Sequence, residues 1–391
     1  MSKKQKLIEI SDKKHTALIS TVVRPGTNDT EVSLDELVML LENLNIKTLG
    51  RSVQNRTTPD SGSFIGSGKA EEIKDFATKL GANLLVIDDF LNPTQKSNLQ
   101  KLTSLEVWDR AFVIMKIFEN RADTFEAKLQ VKLAQYKYEI PSLKGLGLQM
   151  SSTGAGIGTR GPGETEYERH RRKLDKRVNS IMDKLEIVKK SRRLRRERRH
   201  KYGVPLVSLV GYTNSGKSTL LKGLSKDATI VSANQLFTTL DTVARRINYR
   251  DASGSFLLFD TVGFIRKIPT DLIAAFRATL EEVAGADLLL VVVDASDKEP
   301  INHFDIVLET LKELQADTIP RITVLNKIDV AGASTDIIEI ELIARGEEIV
   351  KTCALTGEGY DILLEKIRTY LDNVKPEKTY TPDYYNDNVF D

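Results

Sequence analysis

Strand-like and helix-like patterns of apolar residues alternate along the first part of the chain. The strand-like runs are 15–23, 46–53 and 82–87. The runs with apolar residues at helical spacing are 33–44, 69–80 and 93–102. Ser33 begins the first of these helical runs and is expected to cap it. Residues 111–118 predict a last strand or the start of a helix, and the whole order predicts a small α/β layer domain over residues 1–117.

Two later segments carry a narrower apolar stripe, with alternating spacings of three and four residues. The first stripe runs from Phe118 to Ile140 and the second from Leu174 to Val188. Such stripes are typical of helices that pack against each other. Because the chain must reverse between them, we expect an antiparallel helical hairpin over residues 118–202. Its tip, residues 141–163, holds seven glycines and is expected to be either a flexible connector or a functional loop.

Apolar runs alternate again with helix-like segments between residues 203 and 374. This order predicts a mostly parallel sheet that is covered by helices on both faces. Segments 271–283 and 361–371 are amphipathic enough to be two of the covering helices. Residues 375–391 are polar, contain two prolines and predict an irregular tail.

The run at 204–210 leads into Gly211-Tyr-Thr-Asn-Ser-Gly-Lys-Ser218, which matches the phosphate-loop pattern G-x-x-x-x-G-K-S/T without a mismatch. A helix-like stretch follows, so a helix N-terminus and several backbone N–H groups would face a bound anion. Lys217 is expected to reach the β- and γ-phosphates, and the Ser218 hydroxyl is expected to reach Mg²⁺. The fold class expected for residues 203–374 is therefore a P-loop nucleotide-binding domain.

Further motifs follow in order, each at the end of an apolar run, and they point to a guanine nucleotide. Asp260-Thr-Val-Gly263 offers a carboxylate that can hold Mg²⁺ through water and a glycine N–H for a γ-phosphate. Asn326-Lys-Ile-Asp329 offers a carboxylate that can accept from the guanine ring N–H and exocyclic amine, with Lys327 over the base plane. Cys353-Ala-Leu355 would present a backbone N–H to the guanine carbonyl. Together the motifs predict a domain that binds GTP and GDP.

Composition sets limits on the class of protein. The chain has 391 residues, of which 40% are hydrophobic and 29% charged, as in ordinary soluble proteins of two or more domains. No apolar run is long enough for a membrane span, and the N-terminal residues lack the apolar core of a signal peptide. The single cysteine, Cys353, excludes an intrachain disulfide and suits a reducing cytosol. We therefore expect a cytoplasmic protein in which the Cys353 thiol is a small buried group. We also expect the protein to be a monomer.

Charge is unevenly distributed, although the formal net charge is only +2. Residues 164–201 contain 16 Lys and Arg against 7 Asp and Glu, and within them residues 189–201 contain nine basic residues against one acidic. A solvated helix is the ordinary interpretation of such a run. A polyanion is the favoured alternative, and RNA is favoured over lipid because no apolar helix face accompanies the charge. The expected RNA contacts are Arg160 in the tip and Arg192, Arg193, Arg195 and Arg196.

Several segments resemble the HflX family, a branch of the Obg–HflX translation-factor GTPases. They are Asp88-Asp-Phe-Leu-Asn-Pro-Thr-Gln95, Glu126-Ala-Lys-Leu-Gln-Val-Lys-Leu-Ala-Gln135, Gly158-Thr-Arg-Gly-Pro-Gly-Glu164 and Asp260-Thr-Val-Gly-Phe-Ile-Arg266. The resemblance covers nearly the whole chain. It implies GTP hydrolysis coupled to binding of the large ribosomal subunit and its rRNA, and separation of stalled or idle ribosomes under stress. A ribosome-assembly GTPase and an RNA-binding regulator, in which GTP only sets conformation, are the alternatives.

Leu236-Phe-Thr-Thr-Leu-Asp241 holds two threonines that could complete the Mg²⁺ shell. The two side chains have the same chemistry, so it does not show which of them binds Mg²⁺. The resemblance to the HflX family favours Thr239 over Thr238, because it aligns the neighbouring Leu240. The expected nucleotide contacts are Gly211, Tyr212, Thr213, Asn214, Ser215, Gly216, Lys217, Ser218, Phe237, Thr238, Thr239, Leu240, Asp260, Thr261, Val262, Gly263, Asn326, Lys327, Asp329, Cys353, Ala354 and Leu355. The expected catalytic residues are Lys217, Thr239 and Gly263, and the expected Mg²⁺ ligands are Ser218, Thr239 and, through water, Asp260.

Phe264 stands where small GTPases carry a glutamine that orients the attacking water. An apolar ring cannot orient water, so slow intrinsic hydrolysis is expected. Activation could come from K⁺ near Asn214, although that asparagine could instead only stabilise the loop turn. It could also come from the ribosome, by ordering the switch segments at 226–242 and 260–271.

Overall fold

A computed structural model of the protein describes residues 15–26, 29–151, 162–202, 204–227, 237, 243–249, 254–267, 283–331 and 334–374. The chain divides into two compact units. The first consists of Met1–Ile117 with Gln135–Asp175, and the second consists of Phe118–Ala134 with Lys176–Asp391. The segment predicted as a helical hairpin, residues 118–202, is thus shared between the two units.

Four strands and four helices alternate between residues 16 and 121. The strands are β1 (Thr16–Val23), β2 (Lys47–Asn55), β3 (Leu84–Ile87) and β4 (Glu106–Asp109). The helices are α1 (Thr30–Asn43), α2 (Ser67–Leu80), α3 (Pro93–Thr103) and α4 (Arg110–Arg121). The strands form a parallel sheet in the order β2-β1-β3-β4. Every residue of β3 is buried, as expected of a parallel strand covered on both faces. The predicted α/β layer domain is confirmed.

Two details of this domain differ from the sequence prediction. Helix α1 begins at Thr30 with Asp29 in the cap position, so the prediction that Ser33 caps it is wrong. The Ser33 hydroxyl instead donates to Asp88 Oδ2 at 2.5 Å, a partner 55 residues away. Residues 111–118 lie in helix α4, and the fourth strand lies just before them.

A group of buried charges joins the end of β3 to helices α1 and α4. Arg110 is fully buried. Its guanidinium donates to Asp88 Oδ1 at 2.5 Å and also to Glu36, and both carboxylates are buried with it. Charges removed from water in this way are tolerated only when each has a partner. The domain therefore depends on all three side chains being present together.

The helical hairpin consists of α5 (Phe125–Ser151) and α6 (Pro162–Tyr202). Glu126 pairs with Arg192 at 2.8 Å, and Glu139 Oε1 lies 3.7 Å from His170 Nε2. A residue farther along α5 thus contacts a residue earlier in α6. The helices are therefore antiparallel, as predicted. Helix α5 continues through Pro141 to Ser151, so residues 141–151 of the predicted tip are helical.

A six-stranded sheet forms the centre of the second unit. Its strands are β5 (Leu206–Gly211), β6 (Val243–Asn248), β7 (Ser255–Asp260), β8 (Leu288–Asp294), β9 (Arg321–Asn326) and β10 (Ile349–Lys351). Its helices are α7 (Lys217–Ser225), α8 (Pro300–Glu313), α9 (Ile328–Ala331), α10 (Ser334–Ala344) and α11 (Tyr360–Val374), with a short 3-10 helix at Val283–Gly285. The order is β10-β9-β8-β5-β7-β6, and only the β6–β7 pair is antiparallel. The predicted mostly parallel sheet is confirmed.

Parallel pairing places the candidate motifs together. The carboxyl ends of β5, β7, β8 and β9 lie at one edge of the sheet. The phosphate loop begins at the end of β5, the Asp260 motif at the end of β7 and the Asn326 motif at the end of β9. The covering helix predicted at 361–371 is α11. The one predicted at 271–283 lies outside the described residues except for its last residue. Within the described ranges, no helix is both long and apolar enough to cross a membrane.

Replacing Arg110 with leucine is expected to lower the free energy of unfolding by about 3–5 kcal/mol, because Asp88 and Glu36 would then be buried without a counter-charge. The control is Arg51→Leu, since Arg51 pairs with Glu31 and Asp35 but keeps 36% of its side chain exposed. That change should cost less than about 1 kcal/mol. Urea unfolding monitored by far-UV circular dichroism measures both. Equal losses in the two variants would contradict the role given to the buried charges.

Candidate nucleotide-binding site

The loop between β5 and α7 passes very close to its neighbours at two glycines. A Cβ on Gly211 would lie 2.4 Å from the carbonyl oxygen of Val292, and a Cβ on Gly216 would lie 2.2 Å from Asn326 Nδ2. Gly216 also has a φ of +97°, a conformation that residues with a side chain rarely adopt. Both glycines of the phosphate-loop pattern are therefore required by close packing.

Lys217 begins helix α7 and is buried inside the loop. Its ammonium donates to the carbonyl oxygens of Gly211 at 3.0 Å and Tyr212 at 2.7 Å. Burial lowers the pKa of Lys217 to about 8; the Asp260 carboxylate opposes this shift and the charge of Lys327 adds to it. At neutral pH the side chain is thus mostly protonated, as a phosphate-binding lysine must be.

Hydroxyl and carboxylate oxygens meet where β7 ends beside α7. Ser218 Oγ donates to Asp260 Oδ2 at 2.6 Å. The next residue, Thr261, is buried and donates to the Leu209 carbonyl at 2.6 Å, which fixes the start of this segment against β5. Hard oxygen atoms of this kind are the protein ligands that Mg²⁺ prefers. The donor set therefore fits a magnesium ion.

Two further polar atoms in the loop fit an anionic ligand. The hydroxyls of Thr213 and Ser215 are buried, and neither has a hydrogen-bond partner among the described residues. Buried polar groups in proteins nearly always have a partner. A phosphate group bound in the loop would supply acceptor oxygens within this cradle, so the residues present suit a nucleotide phosphate. Asn214, between them, has a φ of +62°, a turn conformation that asparagine tolerates.

Asn326, at the end of β9, connects the phosphate loop to the loop after β10. Its Nδ2 donates to the Ser215 carbonyl at 2.8 Å, and its Oδ1 accepts from Ala354 N–H at 3.0 Å. Lys327 follows with a φ of +61°, and its ammonium donates to Asp294 Oδ2 at 2.7 Å. Asp329 is exposed on α9. The motif thus places one buried amide, one tethered ammonium and one exposed carboxylate at the same edge.

Two of the three backbone N–H groups in the loop at 353–355 donate to acceptors within the protein. Cys353 N–H donates to the Glu358 carbonyl at 3.1 Å, and Ala354 N–H donates to Asn326. The Cys353 thiol is buried, as predicted. Leu355 is 81% exposed, and its N–H has no acceptor among the described residues.

The segment after Asp260 pairs with the phosphate loop through its backbone. Phe264 N–H donates to the Gly211 carbonyl at 3.0 Å, and Thr213 N–H donates to the Phe264 carbonyl at 2.7 Å. Val262 and the Phe264 ring are buried. A Cβ on Gly263 would lie 2.8 Å from Thr213 Cα and 3.0 Å from Lys217 Nζ, so this glycine is also required by packing.

The side chains that support this edge from β8 and α8 were not among the predicted site residues. Asp294, Glu299 and His303 contact Lys327, Arg266 and Tyr212, respectively. Asp294 could have been found, because it ends an apolar run as Asp260 and Asn326 do. Glu299 and His303 carry no such signal, since only the packing of α8 brings them to the loop.

Other predicted residues lie apart from this edge or outside the described ranges. Phe237 is buried, and its ring packs edge-on against Phe118 with centroids 4.6 Å apart. The residues outside the described ranges are Arg160, Thr238, Thr239 and Leu240. Arg193, Arg195 and Arg196 belong to helix α6. Arg192 is mostly buried in its ion pair with Glu126.

Gly216→Ala is expected to weaken binding of guanosine diphosphate by at least about tenfold, because the new Cβ would displace Asn326 and break its bond to Ser215. The matched control is Gly346→Ala, which has a similar φ of +84° but open space around it. The control should lose only about 1–2 kcal/mol of stability, with unchanged affinity. Calorimetric titration and thermal unfolding separate the two effects. Equal affinity losses in both variants would contradict the packing argument.

Comparison with known proteins places the chain in a family. Three family models match successive segments, described as GTP-binding GTPase N-terminal (residues 31–119), GTP-binding GTPase Middle Region (121–199) and 50S ribosome-binding GTPase (206–327). The chain is 41% identical over 369 residues to the GTPase HflX of Lacrimispora saccharolytica, covering 94% of this chain and 86% of that protein. It is 43% identical over 304 residues to the GTPase HflX of Escherichia coli K12, covering 78% of this chain and 71% of that protein.

A solved structure, the crystal structure of SsGBP in complex with GDP, is similar over most of the chain. Its TM-score is 0.50 with 25% identity, and the match covers 92% of this chain and 99% of that one. Matched segments thus extend over both the α/β domain and the phosphate-loop domain. With identities near 40% to two HflX proteins over most of the sequence, the chain belongs to the HflX family of GTPases.

Proposed function

We propose that this GTPase binds Mg²⁺ and GTP at the carboxyl edge of its second sheet and associates with the large ribosomal subunit. We further propose that it dissociates stalled or idle ribosomes under stress, in the cytoplasm. The observation that carries the nucleotide part is the convergence of Lys217, the Ser218–Asp260 pair and Asn326 at one sheet edge. The matched description of residues 206–327, a 50S ribosome-binding GTPase, supports the ribosomal part.

On the phosphate side, Lys217 would contact the β- and γ-phosphates while the N–H groups of the loop surround them. Ser218 and Thr239 would hold Mg²⁺ directly, and Asp260 would hold it through water. The ion would supply positive charge to the β- and γ-phosphate oxygens. Gly263 would donate its N–H to the γ-phosphate.

On the base side, the exposed Asp329 carboxylate would accept from the guanine ring N–H and amine. Lys327 would lie over the base plane, held by its bond to Asp294 at 2.7 Å. Because the amides of Cys353 and Ala354 have partners in the protein, the Leu355 N–H is the proposed donor to the guanine carbonyl. Adenine presents a different arrangement of donors and acceptors, so the site would select against ATP.

Intrinsic hydrolysis would be slow. The Phe264 ring is 2% exposed and its backbone is bonded to the phosphate loop, so no polar side chain stands at this position to orient water. Acceleration would then come from outside this segment, through the large subunit. A potassium ion near Asn214 stays a prediction, and the φ of +62° at that residue equally suits a purely structural turn.

The basic end of helix α6 is the proposed RNA contact. Nine basic residues against one acidic within residues 189–201 favour phosphate binding with counterion release. The proposed contacts are Arg193, Arg195 and Arg196, together with Arg160 in the tip. Arg192 is left out, because its guanidinium is engaged by Glu126 within the hairpin at 2.8 Å.

The test is GTP hydrolysis by the purified protein alone, with isolated large subunits and with intact ribosomes, while light scattering follows ribosome dissociation. We expect hydrolysis to rise at least about tenfold with large subunits and intact ribosomes to separate only with GTP. Lys217→Ala should abolish both effects. Replacing Arg193, Arg195 and Arg196 with glutamine should weaken subunit binding and reduce its salt dependence, while hydrolysis by the protein alone stays the same.

Unchanged hydrolysis with large subunits and no dissociation would sink the proposed role on mature ribosomes. Binding of the protein to purified immature particles would then favour a ribosome-assembly GTPase. Binding to free RNA that persists in Lys217→Ala would favour a regulator in which GTP only sets conformation.

A further inference from the structure

The side chain of Tyr212, the second residue of the phosphate loop, is held from two sides. Its hydroxyl accepts a hydrogen bond from Arg266 N–H at 3.0 Å. Its ring stacks on His303 of α8, with centroids 3.8 Å apart and planes within 5° of parallel. Because Tyr212 is buried and its ring is held by the stack, its hydroxyl fixes the position of the Arg266 backbone N–H.

Arg266 is held at its other end as well. Its buried guanidinium donates to Glu299, which directly precedes α8 and also accepts from Asn302 Nδ2 at 3.2 Å. Asp297 accepts from Glu299 N–H at 2.9 Å and lies 3.3 Å from His303 Nδ1. The loop before α8 thus positions both the carboxylate that holds Arg266 and the ring that holds Tyr212. We call Tyr212, Arg266, Glu299 and His303 the Tyr212 latch.

The latch fixes the segment that would have to contact a γ-phosphate. With Arg266 held, Phe264 keeps both of its backbone bonds to the phosphate loop. Gly263 then lies against the loop, with its Cβ position 3.0 Å from Lys217 Nζ. The same Cβ position lies 2.8 Å from Thr213 Cα, so the backbone of Gly263 packs directly against the loop. A phosphate group placed between this segment and the loop would compete with that close packing and with the backbone bonds of Phe264.

We infer that Tyr212 is a specificity-determining residue, whose latch favours GDP over GTP by holding residues 263–266 against the phosphate loop. GDP has no γ-phosphate and leaves the latch intact. GTP must break the Tyr212–Arg266 bond and the Thr213–Phe264 bond, and this cost opposes its binding. The inference rests on the roles proposed above for Lys217 and Gly263.

The experiment compares the dissociation constants of GDP and of a non-hydrolysable GTP analogue, both with Mg²⁺, in the unsubstituted protein and in two variants. Tyr212→Phe keeps the ring for stacking and removes only the hydroxyl. Glu299→Gln keeps the shape and removes the charge that holds Arg266. We expect the preference to shift toward the GTP analogue about fivefold in the first variant and about tenfold or more in the second. The double variant should shift by less than the product, since both changes release Arg266.

Two matched controls lie away from the site. Tyr370→Phe removes one tyrosine hydroxyl bond, to Glu348 at 2.7 Å, and Glu347→Gln weakens one arginine–carboxylate pair, with Arg321. Neither should change the ratio of the two dissociation constants, and a general loss of stability would not change it either. Thermal unfolding verifies that each variant is folded.

An unchanged ratio in both latch variants, or a shift toward GDP, would overturn the latch while leaving GTP binding in place. If the unsubstituted protein bound neither nucleotide, the proposed function would fail, and the latch with it.

Discussion

The carboxamide of Asn326 is the interaction on which the nucleotide site depends. It donates to the phosphate loop at Ser215 and accepts from the loop after β10 at Ala354, at 2.8 and 3.0 Å. One rigid, buried group with both a donor and an acceptor therefore sets the spacing between the phosphate end and the base end of the site. Gly216 must lack a side chain for the carboxamide to fit there. A sheet of parallel strands brings the loops to one edge, but this amide fixes their distance.

The same edge also holds the segment that would contact a γ-phosphate. Segment 260–266 is bonded to the phosphate loop through its backbone at Phe264 and through the Tyr212 hydroxyl at Arg266. In the inference above, this segment separates from the loop when GTP binds, and Gly263 would then donate its N–H to the γ-phosphate. Binding of GTP, or of a partner that recognises the GTP-bound form, must supply the free energy that separates this segment from the phosphate loop. A ribosomal partner that contacts the chain only after this segment moves would gain specificity for the GTP state.

Local motifs made much of the fold and site predictable from the sequence. The phosphate loop, β5 and α7 were predictable because they lie in one contiguous stretch of sequence. Each residue type in that stretch has a geometric reason for its position. Contacts between distant residues were not predictable. Ser33 resembled a helix cap, yet its hydroxyl donates to Asp88. Arg192 was expected to contact RNA, yet it pairs with Glu126. The stack of Tyr212 on His303 joins residues 91 positions apart and follows only from the packing of α8.

Guanine recognition by Asp329 would distinguish this site from other phosphate-loop sites. The most direct test measures the affinities of the unsubstituted protein and of Asp329→Asn for GTP and for xanthosine triphosphate, which carries an oxygen in place of the guanine amine. We expect the protein to prefer GTP by at least about a hundredfold, and Asp329→Asn to reverse the preference because its amide can donate to that oxygen. If the substitution weakened both affinities equally and left the preference unchanged, Asp329 would not recognise the base.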